Sequence, residues 1–198
     1  MSRPSTDTED RLFEEALTLF ATQGFAATSV REIIEAVGLS KPVLYYYFDN
    51  KIDLFTKLVE RVHQTAYQEL EQLAKSSESP AKKLRQIIRQ TYAFCANDWR
   101  VPRMMYSASF GVQIPGLEEI MGSFSDRRYQ KIKMIVIDAI RTGEFRQTDP
   151  DVATIAFCSL MDHPCSIFTR DPESAHLLTP ELAEAQFEIF LRGIGAHH

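Results

Sequence analysis

The sequence predicts an all-α protein with a small three-helix head at the N-terminus and a larger domain of about six helices. Apolar residues recur at spacings of three and four along nearly the whole chain, which is the period of an amphipathic helix. Proline and glycine stand where these patterns begin and end. Since we find no sustained alternation of apolar and polar residues and no internal repeat, we expect two helical domains, residues 1–50 and 51–198.

Composition and charge place the chain among globular proteins. Of its 198 residues, 44% are hydrophobic and 25% charged, which is ordinary for a folded domain. No apolar run approaches the roughly 20 residues that span a bilayer, and residues 1–10 lack the features of a secretory signal. Three widely spaced cysteines favour reduced thiols. We therefore expect a cytoplasmic protein with no membrane association, cofactor or metal site; the sequence does not decide whether His197 and His198 are native or tag-derived.

The first predicted helix starts at Thr6, with Glu9 three residues on, and a shorter second helix follows it closely. Apolar residues over 12–20 form the stripe of the first helix, which we expect to end at Gly24. Ser29 and Glu32 have the spacing of a capping box and mark the start of the second helix. Gly38 marks its end, because a glycine readily adopts the left-handed conformation that terminates a helix.

Caps also mark the remaining helices. Ser40 precedes a third short helix with Pro42 in its first turn, and Asn50 with Asp53 begins a long fourth helix. The fifth and sixth helices are predicted to begin at Pro80 and Pro102, and the seventh to cover 117–141. The eighth and ninth are predicted to begin at Pro150 and Pro180. Residues 169–178 are predicted to form a loop.

The second and third helices, 28–37 and 41–47, match a helix-turn-helix in length and connection. Ile33, Val37 and Leu44 provide the apolar contacts that hold such a pair at a steep angle. The second helix of this motif fits into a DNA major groove roughly 12 Å wide. The spacing therefore indicates a nucleic-acid-binding head.

Three segments carry a more specific resemblance: 24–33 (GFAATSVREI), 37–42 (VGLSKP) and 44–51 (LYYYFDNK). Together they resemble the N-terminal signature of TetR-family transcriptional regulators over about residues 10–60. Over 60–198 only the number and lengths of the helices are similar to the family. The resemblance implies a homodimeric repressor that binds a near-palindromic double-stranded DNA operator and is released by a small-molecule effector.

Carried over residue by residue, the resemblance implies a set of DNA contacts at the head. These residues are Thr28, Ser29, Arg31, Lys41, Pro42, Val43, Tyr45, Tyr46, Tyr47 and Lys51. Hydroxyls and ammonium groups would bind phosphates, while Arg31 and Lys41 would read base edges or bind phosphate. Two alternatives stay open: Arg31 can pair with Glu35 four residues on, and Tyr46 can be structural.

The charge of the head is the main objection to this interpretation. Residues 1–61 contain seven Lys and Arg against ten Asp and Glu, a net charge of −3. DNA-binding heads are usually basic, since phosphate contacts dominate affinity. We therefore expect few phosphate contacts per subunit and a dependence on dimerisation for affinity.

The resemblance places an effector pocket among the fourth to eighth helices, and the aromatic and sulfur side chains there suit a mainly apolar ligand. The candidate pocket residues are His63, Tyr67, Tyr92, Cys95, Trp99, Met105, Phe110, Phe124 and Met161. The resemblance also places the dimer interface on the last two long helices. The candidate interface residues are Ile155, Leu160, Phe187, Phe190, Leu191 and Ile194. In both sets the alternative is ordinary core packing.

Other functional classes are less consistent with the sequence. An enzyme is not expected, because there is no phosphate-cradling glycine loop or nucleophile elbow, and the adjacent Asp162 and His163 do not face each other on a helix. No catalytic residue is therefore assigned. Two rivals remain: a DNA-binding activator or structural protein without a small ligand, and a helix-turn-helix used for protein interaction. The identity of the effector and the operator sequence do not follow from the sequence.

Overall fold

The structure, a computed structural model, describes residues 6–111 and 113–195, apart from the side chains of Thr6, Cys165, Phe168, Thr169, Arg170 and Pro172. His197 and His198 lie outside the described residues. Over the described residues the chain forms nine α-helices, a short 3₁₀ helix and no strand, which confirms the all-α prediction. The helices are α1 (Thr6–Ala27), α2 (Val30–Val37), α3 (Lys41–Tyr47), α4 (Lys51–Lys75), α5 (Pro80–Asn97), α6 (Arg100–Phe110), α7 (Leu117–Arg141), α8 (Pro150–Arg170) and α9 (Pro180–Ile194).

Most predicted helix starts and ends agree with the structure, and three differ. α1 continues past Gly24 to residue 27, with a kink at that glycine. α6 begins at Arg100, with Pro102 inside its first turn instead of at its start. The predicted loop at 169–178 is shorter, because α8 extends to residue 170 and a 3₁₀ helix covers Pro172–Leu177.

The head has its own apolar core, built from α1, α2, α3 and the first turns of α4. Its buried side chains include those of Leu12, Phe20, Ile33 and Leu44. The rings of Phe20 and of Phe55 in α4 pack edge to face, with their centroids 5.0 Å apart. The same core also includes side chains of α6, of the loop after it and of the start of α7: Val101, Met104, Ala108, Ile114 and Leu117. The head core therefore extends beyond the first 50 residues of the chain.

A second core fills the larger domain between α5, α7, α8 and α9. Phe157, Phe187 and Phe190 form an aromatic cluster at its centre, with ring centroids 5.5 to 6.5 Å apart. α4 joins both cores, because Leu54, Phe55 and Leu58 pack in the head and Leu70 packs in the larger domain.

One further finding concerns membranes. Within the described residues, no helix combines the length and the apolar character that crossing a bilayer requires.

Candidate nucleic-acid interface

The connection between α1 and α2 is fixed by internal hydrogen bonds. Gly24 has φ 83° and ψ 163°, a conformation that favours glycine. The Thr28 hydroxyl donates to the Gly24 carbonyl at 2.8 Å, and this threonine is buried. The Lys51 ammonium donates to the carbonyls of Phe25 and Thr28, each at 2.8 Å. Thr28 and Lys51, both predicted to contact DNA, thus bind the protein's own backbone.

Caps fix both ends of α2 as the sequence predicts. The Ser29 hydroxyl accepts from the Glu32 N–H, and the Glu32 carboxylate accepts from the Ser29 N–H, which completes the capping box. The hydrogen bonds from the Ser29 side chain and backbone hold the pKa of Glu32 below its ordinary value. At the other end Gly38 adopts a left-handed conformation with φ 70°. The turn into α3 is therefore defined locally.

α3 presents one outward face and one inward face. Leu44 is buried in the head core, and Phe48, directly after the helix, is buried beside it. The exposed side chains are those of Lys41, Pro42, Tyr45 and Tyr46; Val43 and Tyr47 are half-buried. Tyr46 is 66% exposed, so it is not a core residue. We call this exposed set, Lys41, Pro42, Tyr45 and Tyr46, the α3 face.

Arg31 and Glu35 lie on the exposed surface of α2 and form an ion pair. The distance between Arg31 Nε and Glu35 Oε1 is 2.7 Å, and the side chains are 83% and 59% exposed. The hydrogen bond to Glu35 raises the pKa of Arg31 above its ordinary value. The pairing that the sequence offered as an alternative is therefore present, although an exposed pair of this kind is weak and readily exchanged.

Internal partners occupy most cationic side chains of the head. Arg11 donates to the Val37 carbonyl at 2.8 Å, Lys57 bridges Asp53 and the Tyr47 carbonyl, and Arg61 pairs with Asp10. Lys41 is different. Over the described residues 6–61 it is the cation with neither an ion pair nor a carbonyl partner, and its ammonium lies 5.7 Å from the Tyr45 ring centroid.

The comparisons with known proteins agree with this geometry. The family model for bacterial regulatory proteins of the tetR family matches residues 12–58, which include all of α2 and α3. A crystal structure of the TetR-family transcriptional regulator PfmR from Thermus thermophilus has a TM-score of 0.78 and 25% identity, and covers 96% of this chain and 100% of its own. The chain belongs to the TetR family.

Two further relatives of this TetR-family regulator extend the similarity beyond the head. The probable HTH-type transcriptional regulator YttP of Bacillus subtilis (strain 168) is 26% identical over 140 residues, covering 70% of this chain and 67% of YttP. The crystal structure of the transcriptional regulator FadR from Bacillus subtilis in complex with stearoyl-CoA has a TM-score of 0.80 at 18% identity, and covers 93% and 98% of the two chains. The latter likeness concerns the fold alone.

The predicted effector residues of this TetR-family regulator lie in different parts of the structure. Tyr92, Cys95 and Met161 are buried in the core of the larger domain, with Tyr67 and Trp99 packed against it, while Met105 packs against the head core. His63 stacks on Phe124, with ring centroids 4.6 Å apart. Phe110 is 77% exposed at the end of α6, and its place in a pocket wall stays a prediction.

Two clefts open elsewhere on the surface. One of about 430 Å³ lies between α1, α2 and α6 and is lined by Arg11, Glu14, Glu15 and Arg100 among others. The other, of about 520 Å³, lies between α4 and α5 and includes Gln72, Gln90 and Phe94. Neither cleft contains a predicted effector residue.

The predicted dimer residues divide between core and surface. Phe187 and Phe190 are buried in the aromatic cluster of the larger domain, and their place in an interface stays a prediction. Ile155 is 58% exposed, whereas Leu160, Leu191 and Ile194 are half-buried against that core. Val152 and Ile189, which are not among the predicted interface residues, are 62% and 72% exposed.

The sequence signals for the features that were not predicted differ in strength. Ile189 is adjacent to Phe190 and lies on the other face of α9, so a finer division of the helical period would have separated them. The carbonyl partners of Arg11 and Lys57 have no sequence signal, because any residue supplies a carbonyl. Arg100 joins α6 to α1 over a sequence separation of more than 80 residues.

Proposed function

We propose that this TetR-family regulator is a repressor that binds a near-palindromic operator as a homodimer and is released by a small, mainly apolar effector. The observation that carries the proposal is the α3 face. Polar and aromatic side chains project from it, while Leu44 and Phe48 hold the helix against the head core. A recognition helix needs this division between a packed side and a free side.

In the proposed complex, α3 enters the major groove with Lys41 toward base edges or phosphate. Tyr45 and Tyr46 lie one turn further along, where hydroxyls bind backbone phosphates. Arg31 exchanges its exposed Glu35 partner for DNA, and Ser29 lies at the start of α2 beside it. Thr28 and Lys51 are omitted from this surface because their polar groups bind carbonyls of the head.

The homodimer is proposed to form through the exposed sides of α8 and α9. Val152 and Ile155 on α8 and Ile189 on α9 are large apolar side chains open to solvent. A two-fold pairing of such faces places two recognition helices one DNA turn apart, about 34 Å. Val152→Asp with Ile155→Asp should convert the dimer to a monomer in sedimentation equilibrium. A wild-type protein that stays monomeric at every concentration would exclude this interface and the dimer.

The effector is proposed to enter the larger domain between α4 and α7, where His63 stacks on Phe124 and Arg127 lies over the rings of Tyr67 and Phe124. FadR, which has a similar fold, was crystallised with stearoyl-CoA, and this supports an apolar ligand of the acyl type. Because α4 joins both cores, a ligand that displaces it changes the head. Release then depends on the difference in effector affinity between the two arrangements.

The first experiment tests DNA recognition. Duplexes bound by the wild-type protein are selected from a random pool at low salt, and the selection is repeated with Lys41→Ala, Tyr45→Ala and the control Lys75→Ala at the far end of α4. We expect a near-palindrome that is enriched by the wild type and the control and lost with both α3 variants. No enrichment by the wild type would overturn the proposal and favour a protein-interaction module.

The second experiment tests the effector. Stearoyl-CoA, dodecanoate and dodecanol are added to the wild-type protein bound to its selected duplex. We expect at least one of them to raise the melting temperature of the free protein and to release the duplex, because binding to the folded state stabilises it. If no compound in a wider apolar library stabilises the free protein or releases the duplex, the protein is a DNA-binding regulator without an apolar effector.

A further inference from the structure

Two ammonium groups at the N-terminal end of α4 reach into the helix-turn-helix. Lys51 Nζ donates to the carbonyls of Phe25 and Thr28, each at 2.8 Å, in the connection between α1 and α2. Lys57 Nζ donates to the carbonyl of Tyr47 at 3.2 Å, at the last residue of α3. α4 thus binds the backbone immediately before α2 and at the end of α3.

The partners of Lys51 lie where α1 ends. The last carbonyls of a helix lack regular helical partners, and Phe25 belongs to the last turn of α1, after the kink at Gly24. An ammonium has three donors and no acceptor, so one lysine can bind two such carbonyls. Lys51 Nζ also lies 4.3 Å from the centroid of the Phe25 ring, a cation–π distance. Its side chain is half-buried and directed into the head.

Lys57 acts at the negative end of α3. The last carbonyls of a helix carry a partial negative charge, and a cation stabilises them. Lys57 Nζ also pairs with Asp53 Oδ2 at 2.9 Å, and that same oxygen accepts from the Asp49 N–H at 2.9 Å. The Phe48 ring centroid is 5.5 Å from the ammonium. The end of the recognition helix is therefore held by a small network anchored on α4.

We infer that Lys51 and Lys57 are positioning residues, a two-lysine clamp by which α4 sets the orientation of α2 and α3 without contacting DNA phosphate. The inference rests on the proposed DNA-binding function. It also means that these two cations stabilise internal carbonyls instead of DNA phosphates, so the acidic head has few cations left for DNA. Sequence selectivity, which needs a fixed recognition helix, depends on the clamp, whereas the electrostatic attraction to any duplex does not.

The salt dependence of DNA binding distinguishes a lysine that contacts phosphate from a lysine that only positions the helices. Each lost phosphate contact lowers the slope of log K against log salt by about 0.9, or about two for a dimer. Lys51→Met and Lys57→Met are compared with Lys41→Met and Lys75→Met. Lys75 lies on the same helix, pairs with Glu71 and is far from the head. Affinities are measured from 50 to 300 mM salt on a random-sequence 30-base-pair duplex and on the selected duplex.

We expect both clamp variants to keep the wild-type salt slope on the random duplex. We expect their preference for the selected duplex over the random duplex to fall by at least tenfold. Lys41→Met should reduce the slope, and Lys75→Met should change neither quantity. A reduced slope in a clamp variant, or an unchanged preference, would overturn the inference. Failure of the wild type to bind either duplex would instead overturn the proposed function.

A second measurement does not depend on the variants remaining folded. The side-chain ammonium of Lys51 is observed by ¹⁵N NMR in the wild-type protein and assigned with Lys51→Arg. Hydrogen bonds to two carbonyls should slow its hydrogen exchange, and adding the random duplex should leave its signal in place. Rapid exchange in the free protein, or a large shift on adding DNA, would refute the clamp.

Discussion

The guanidinium of Arg100, at the first position of α6, donates a hydrogen bond to the carboxylate of Glu14 on α1 at 3.1 Å. The same guanidinium donates to the Thr18 hydroxyl at 2.8 Å and binds Asp98 just before α6. These polar contacts lie at the edge of the head core, which includes Met104 of α6. Because α6 also packs against α8, it joins the head to the larger domain alongside α4.

Replacing Arg100 tests this polar connection. Arg100→Ala should lower the free energy of unfolding by about 1–3 kcal/mol, because its hydrogen bonds involve charged partners. The coupling to Glu14 in a double-mutant cycle should stay below about 1 kcal/mol, since that carboxylate is 67% exposed. Urea unfolding at one protein concentration measures both. If the Arg100→Ala protein is as stable as the wild type, the hydrogen bonds of Arg100 do not stabilise the contact between α6 and the head.

The glycine that ends α2 offers a test of the turn in the helix-turn-helix. Gly38 has φ 70° and no atom within 4 Å of an added Cβ, so the cost of Gly38→Ala is conformational. We expect a loss of about 1–2 kcal/mol. Gly122→Ala, at an open helical position in α7, is the matched control and should stabilise by about 0.5–1 kcal/mol. If both substitutions change the stability in thermal unfolding equally, the left-handed conformation at Gly38 is not the cause of the loss.

His63 makes stability depend on pH. Burial lowers its pKa from 6.5 to about 4, with a smaller contribution from the charge of Arg128. The unfolded chain therefore binds a proton before the folded protein does, and stability falls as the pH drops from about 6.5 to 4. The loss at pH 5 should be at most about 2 kcal/mol relative to pH 7.

The control for this prediction is a second histidine. In His63→Gln the difference in unfolding free energy between pH 7 and pH 5 should shrink. In His176→Gln, which removes an exposed histidine on the 3₁₀ helix, it should match the wild type. If His63→Gln keeps the full pH dependence, other groups cause it.

Neighbouring residues on α9 should respond differently to truncation. Phe187 is fully buried beside Phe157, so Phe187→Ala should destabilise the protein by about 3–5 kcal/mol. Ile189 is 72% exposed, so Ile189→Ala should leave the stability of a protomer within about 0.5 kcal/mol and weaken self-association. Chemical unfolding and sedimentation over a range of concentrations separate the two effects. Similar losses of stability would show that Ile189 is covered within the protomer.

Local sequence features predicted the helices well. The capping box of Ser29 and Glu32, the left-handed Gly38 and the prolines at the starts of α5, α8 and α9 act within a few residues. The division of the head into buried Leu44 and exposed Tyr45 and Tyr46 agrees with the predicted face of α3.

The uses of the individual side chains were less predictable. Lys51 and Thr28 belong by position to the DNA-facing set, yet their polar groups bind backbone carbonyls between α1 and α2. Phe187 and Phe190 have the spacing of an interface stripe, but Phe157 from α8 covers them. In each case the partner lies far away in the sequence or is a backbone atom that no residue type identifies.

The sequence by itself therefore determined the all-α class, the order of the helices and the helix-turn-helix, because periodicity and capping are local properties of the chain. Only the tertiary structure decided which cations of the head remain available to DNA, since that depends on carbonyls brought together by folding. It also decided that the head core includes α6 and that Ile189, not Phe190, faces solvent. Helical periodicity identifies an apolar face, whereas the packing of distant helices determines what covers it.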